Sequence, residues 1–140
     1  MIRGFIDGGQ AWVFATVEMH ALPGQVEGIA FLLDTGSMRS LLAPPDAIRL
    51  GIDPAALFPD PRTIRASGFG GNVSLLVTSA SFLFDDDDDQ TGQPQPVPIG
   101  ILEPAPSTMR LPSVLGMDFL QHFRLTISVR DAQVELDPRS

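Results

Sequence analysis

The chain has 140 residues, 44% of them hydrophobic, no cysteine and a formal net charge of -8. That length supports one buried core and not two lobes, and the acidic balance argues against nucleic acid or an anionic membrane as partner. With no cysteine there is no disulfide, thiolate metal site or cysteine nucleophile, and no apolar stretch reaches the roughly 18 residues of a membrane span. A basic start with an apolar core and a cleavage site is also missing, so one cytoplasmic domain over residues 1–140 is expected.

Short apolar runs cut by Gly and Pro predict an all-β, closed barrel-like structure. Ile2 to Ile6 and Ala11 to Met19 read as strands flanking the turn Asp7-Gly8-Gly9. Leu22-Pro23-Gly24 turns the chain into Val26 to Leu33, a strand that ends at Asp34. Pro44 to Gly51 reads as a short helix, with prolines at its start, an early acid and Gly as the stop. Thr63 to Phe84 reads as a long hairpin with Gly68, Phe69, Gly70 and Gly71 at its tip, where Phe69 is the one large side chain. Asp85 to Asp89 is a run of like charges followed by a proline-rich stretch, and predicts a solvated loop. Consecutive Asp side chains diverge and the spaced pattern of a calcium loop is absent, so no metal is expected there. Val97 to Leu102 resumes as a strand, and Leu111 to Val114 leads to Gly116. Met117 to Phe123 reads as a second helix, and Leu125 to Val129 and Gln133 to Leu136 as two closing strands.

Asp34-Thr35-Gly36-Ser37 directly follows Phe31-Leu32-Leu33, which sets one carboxylate on a tight turn at the end of a buried strand. Asp-Thr-Gly arises by chance in a chain of this length on the order of a percent of the time, so its apolar setting carries the signal. Two carboxylates held close cannot both ionise; one keeps its proton while the other activates a water. The tripeptide occurs once. If the turn is catalytic and not an ordinary strand-end turn, its partner must be Asp34 of a second copy, in a symmetric homodimer with the site on the two-fold axis. His20 and His122 sit in no nucleophile motif and read as surface or structural residues, Trp12 as a barrel-wall aromatic, and the five Met residues as filling.

On these residues the chain resembles the retropepsin-like aspartic proteases. Three motifs match in family order: Phe31 to Ser37; Gly68 to Gly71, similar to the glycine-rich tip of the flap that closes over substrate; and Val114-Leu115-Gly116-Met117-Asp118-Phe119-Leu120, similar to the segment leading into the family's helix. The resemblance runs from about Phe5 to Leu136. It implies an acid-protease fold with a flap hairpin and one or two short helices, and an aspartic endopeptidase that acts on peptide or protein substrates without metal or organic cofactor. Asp34 would be catalytic, and Gly68, Phe69, Gly70 and Gly71 would close on substrate. Thr35 would hydrogen-bond across the dimer axis, Gly36 would allow the turn, and Ser37 would donate to the carboxylate. Asp118 would be structural. Retroviral members place an Asp and an Arg where this chain has Met38 and Met117, which points to the cellular or bacterial branch, as does the helix over Pro44 to Gly51. The alternative is a catalytically silent dimerisation or peptide-binding module with the same fold.

Overall fold

A computed structural model of the chain describes residues 1–68, 71–84 and 94–138. Eleven strands and three short helices lie among these residues. The first four strands are β1 (Ile2–Arg3), β2 (Phe5–Asp7), β3 (Gln10–Met19) and β4 (Val26–Leu33). Then come β5 (Leu41–Leu42), α1 (Pro44–Arg49), α2 (Pro54–Leu57), β6 (Ile64–Gly68), β7 (Gly71–Phe84) and β8 (Gln95–Leu102). The chain ends with β9 (Ser113–Leu115), α3 (Met117–Leu120), β10 (Arg124–Ser128) and β11 (Gln133–Asp137).

Alternation builds the first wall. Ala11, Val13, Ala15, Val17 and Met19 of β3 are buried, while Trp12, Phe14, Thr16 and Glu18 point outward, as a period of two requires. The turn from β2 to β3 uses Gly8 and Gly9 at positive φ, which matches the right-handed twist of the flanking strands. β4 returns antiparallel along β3, in register from Glu18 with Val26 to Trp12 with Leu32.

Six strands then close on themselves: β3, β4, β9, β5, β8 and β7 pair in that order, and β7 pairs back with β3. Closure removes free edges from the ring, and the all-β expectation with few short helices is met. Two of its contacts are parallel, β4 with β9 and β5 with β8. The interior is filled by Val13, Val17, Phe31, Phe82 and Leu115, each fully buried. Tilted rings run from Phe31 to Phe82 (centroids 5.0 Å apart), Phe84, Phe119 and Phe123, tying the β4 wall to α3. A separate three-stranded sheet orders β1, β11 and β10.

Several boundaries differ from the sequence reading. The first expected strand splits at Gly4, where a side chain would run into the carbonyl oxygen of Trp12. α2 was not anticipated; Asp53 caps it by accepting the N–H of Ala55, with Pro54 in its first turn. α3 stops at Leu120 instead of Phe123, because the N–H groups of His122 and Phe123 bond three residues back and tighten the chain into a turn. The hairpin forms as expected, paired from Ile64 with Leu75 to Gly68 with Gly71. Phe69 and Gly70 at its tip, and the Asp85 to Asp89 run, lie outside the described residues. Among the described residues no helix is long and apolar enough to cross a membrane.

Candidate active site

β4 delivers Asp34 to its place by extending a parallel ladder. Leu33 is in register with Leu115 of β9, and the Asp34 N–H continues the pairing by donating to the Leu115 carbonyl at 3.0 Å. The turn that follows is closed by the Ser37 N–H on the Asp34 carbonyl, 3.2 Å. Asp34 Oδ1 accepts the Gly36 N–H at 2.9 Å, an Asx turn that orients the carboxylate. Its Oδ2 has no hydrogen-bond partner among the described residues. Asp34 is half-buried, and Thr35 and Gly36 are exposed.

Two roles read from the sequence change. Gly36 is not among the glycines at positive φ; what it supplies is room, since a Cβ would sit 3.2 Å from Asp34 Oδ1. The Ser37 hydroxyl does not donate to the Asp34 carboxylate. Its one proton goes to the Arg39 carbonyl at 2.7 Å, so it braces the loop and not the acid.

The segment after β9 packs hard against this loop. A Cβ on Gly116 would stand 2.5 Å from the Arg39 carbonyl oxygen and 2.7 Å from that of Ser37. The Met117 N–H donates to the Ser37 carbonyl at 2.7 Å and the Asp118 N–H to that of Met38 at 3.1 Å. Asp118 then reaches back: Oδ1 accepts the Ser40 hydroxyl at 2.7 Å and Oδ2 the Ser40 N–H at 3.0 Å. The structural part expected of Asp118 is therefore visible as two bonds. Ser40 is 1% exposed and was missed in the sequence, where its only signal is a small polar residue between two apolar runs.

Beside Asp34, the outer side of the ring carries a second apolar cluster. Leu41, Val73, Leu75, Leu102 and Val114 are buried in it, with Leu32, Ala66 and Leu111 half-exposed along its border. Leu32 belongs to the strand that ends in Asp34, and Ala66 and Val73 to the hairpin. The cluster thus joins the hairpin root to the Asp34 strand by an apolar surface. His20 and His122 are exposed; His20 Nε2 lies 3.0 Å from Ser81 Oγ, a contact that a separation of 61 positions concealed. A cavity of about 330 Å³ between α2 and the middle of β7 has none of the candidate site residues in its lining.

No family model matches the chain, and no curated protein matches it in sequence. Among solved structures it is similar to a retropepsin-like aspartic protease from Rickettsia conorii, with a TM-score of 0.61 and 19% identity over 96% of this chain and 95% of that one. It is also similar to EIAV protease complexed with the inhibitor HBY-793, with a TM-score of 0.45 and 19% identity over 80% of this chain and 86% of that one. The chain has a retropepsin-like fold.

Proposed function

We propose that residues 1–140 form one aspartic endopeptidase domain, active as a homodimer in which Asp34 from each of two copies makes the acid–base pair. The observation that carries this reading is the Asp34 turn itself. One oxygen of its carboxylate is oriented by a backbone N–H and the other is left open, at the end of a strand fixed in a closed ring. Brought together on a two-fold axis, two such carboxylates share one proton. The ionised one takes a proton from water, whose oxygen attacks the peptide carbonyl carbon, while the protonated one donates to the carbonyl oxygen. Collapse of the tetrahedral intermediate sends a proton to the leaving nitrogen.

In this reading the exposed Thr35 meets its counterpart across the axis, Gly36 keeps the carboxylate uncrowded, and Ser37 braces the loop. The hairpin is the flap, with Gly68, Phe69, Gly70 and Gly71 closing over an extended peptide, and the apolar surface of Leu32, Ala66 and Leu111 faces its side chains. The test is turnover of a peptide library by wild type and by Asp34→Asn, read beside sedimentation over a range of protein concentrations. Asp34→Asn is expected to fold and dimerise yet lose on the order of 10²-fold or more in turnover, the scale of general acid–base loss. Because each copy carries -8, salt is expected to strengthen association, as screening acts beyond roughly 8 Å. A fully active monomer would overturn the proposal, and a dimer without turnover on any peptide would leave a silent binding module.

A further inference from the structure

Asp118 has more bonding than anchoring a four-residue helix needs. Both its oxygens are spent on one residue, Ser40, and every polar atom of that residue is engaged in turn. The Ser40 N–H and hydroxyl donate to Asp118, the hydroxyl oxygen accepts the Gly116 N–H at 3.1 Å, and the Ser40 carbonyl accepts the Gly100 N–H at 2.9 Å. Ser40 is buried at the junction of four segments: the loop leaving Asp34, β5, the turn into α3, and β8.

The loop between Ser37 and Ser40 is thereby held at both ends. At the near end the Ser37 carbonyl accepts the Met117 N–H and its N–H closes the Asp34 turn. At the far end stands the Asp118 carboxylate. Between them Arg39 is pressed against Gly116 with no space for a side chain. A set of hydrogen bonds around a buried residue with every member satisfied specifies one geometry, whereas a partly satisfied set does not. The loop so fixed carries the Asp34 turn at its start.

We infer that Asp118 and Ser40 are positioning residues for Asp34: the Asp118 carboxylate holds Ser40, Ser40 fixes the loop, and the loop sets the direction of the Asp34 carboxylate. The inference rests on the reading of Asp34 as a member of the acid–base pair. Its role is geometric and does not depend on the charge of Asp118, which separates it from a third acid in the chemistry. Asn at the position keeps one oxygen for the Ser40 N–H and can donate from Nδ2 to the Ser40 oxygen, so both links between the two residues persist although the Ser40 hydroxyl proton loses its acceptor.

The experiment compares Asp118→Ala, Ser40→Ala, the double variant and Asp118→Asn, at protein concentrations where sedimentation gives only dimer. Amide exchange at Ser37 is measured in each. Expected in both alanine variants are a kcat lower by roughly 10- to 100-fold, the scale of a misplacement near 1 Å, KM within about threefold, and faster exchange at Ser37. The double variant is expected to be no worse than the poorer single one, and Asp118→Asn to stay within about threefold of wild type. A wild-type kcat in Asp118→Ala, a rise confined to KM, or unchanged exchange at Ser37 would each overturn the inference. If Asp118→Ala does not fold, Ser40→Ala and Asp118→Asn carry the same comparison. Should wild type turn over no peptide, the reading of Asp34 is what fails, and the exchange measurement still decides whether Asp118 holds its turn.

Discussion

Replacing Gly116 by Ala tests the close fit between the two segments that frame Asp34. Gly116 has φ -99° and ψ -171°, extended backbone that alanine adopts freely, so any effect is steric. The added Cβ would stand 2.5 Å from the Arg39 carbonyl oxygen and 2.7 Å from both the Arg39 carbonyl carbon and the Ser37 carbonyl oxygen. All three are backbone atoms, and the nearest must retreat by about 0.9 Å, the gap between 2.5 Å and the 3.4 Å at which ordinary contact begins. That movement pulls on two bonds at once, Met117 N–H to the Ser37 carbonyl and the Ser37 hydroxyl to the Arg39 carbonyl. Overpacking of this kind costs about 1–3 kcal/mol, and for a chain of this size Tm falls by roughly 3–12 °C. Displacing the Asp34 turn by a comparable distance lowers kcat on the order of 10²-fold in the molecules still folded. Circular dichroism melts and peptide turnover at saturating dimer measure both, with Gly36→Ala as the contrast. There the new Cβ meets one side-chain oxygen at 3.2 Å, which a small rotation relieves, so Tm stays within about 2 °C while turnover drops. If Gly116→Ala melts within about 1 °C of wild type and keeps its kcat, the packing argument is refuted.

Three further outcomes follow from particular bonds. Ser113 is fully buried, accepts the Ala43 N–H at 2.9 Å and donates to Asp46 Oδ2 at 2.7 Å; Ser113→Ala strands that N–H and is expected to cost about 1–3 kcal/mol in urea melts, an unchanged midpoint counting against it. Ser37→Ala is expected to leave the acid limb of the pH–rate profile in place, because the hydroxyl serves Arg39; a displaced limb would return it to the carboxylate. Hydrogen bonding from Arg62 holds the Asp60 carboxyl down at about 2 instead of 3.8, so its contribution is complete above about pH 4 and is lost as pH falls toward 2. The pair is exposed, so Asp60→Asn is expected to change Tm at pH 7 by less than about 2 °C, and a larger fall would mean that it anchors the segment after α2.

What the residues disclosed by themselves followed from local rules. β3 and β4 were legible as long apolar runs bounded by Gly and Pro turns, and the Asp34 turn because it directly follows such a run. The hairpin could be placed from its glycines and the length of its outgoing arm. Closure of the ring was expected as a class, but its pairings were not: β5 and β9 are two and three residues long, too short for any period, and Ala15 meets Phe84 across about half the length of the chain. α2 spans four residues and stands on its cap and tertiary contacts, a scale at which helical periodicity is invisible. The Ser37 hydroxyl could be seen to have a proton to give, but the acceptor is set by where the Arg39 carbonyl lies. Ser40 and Asp118 are 78 positions apart, and nothing local links them.

On the proposed function, the hairpin would have to move while the Asp34 turn stays rigid, and the two are supported by different parts of the fold. β7 is fourteen residues long, and its middle and C-terminal stretches lie in the ring, where Leu75, Leu76, Ala80 and Phe82 are buried and β8 and β3 flank it. Toward Gly71 it pairs with β6, which ends the order of the large sheet. The hairpin root is therefore fixed by the core that fixes β4, whereas nearer the tip Ser67 is in register with Asn72 of the opposite arm. The Asp34 turn has backbone bonds to Leu115, Met117 and Asp118 on its stem and loop and, among the described residues, none to the hairpin. On the proposed function, a peptide between the hairpin and this turn would meet a carboxylate whose backbone supports come from the segment after β9, so closure of the hairpin would leave the acid in place.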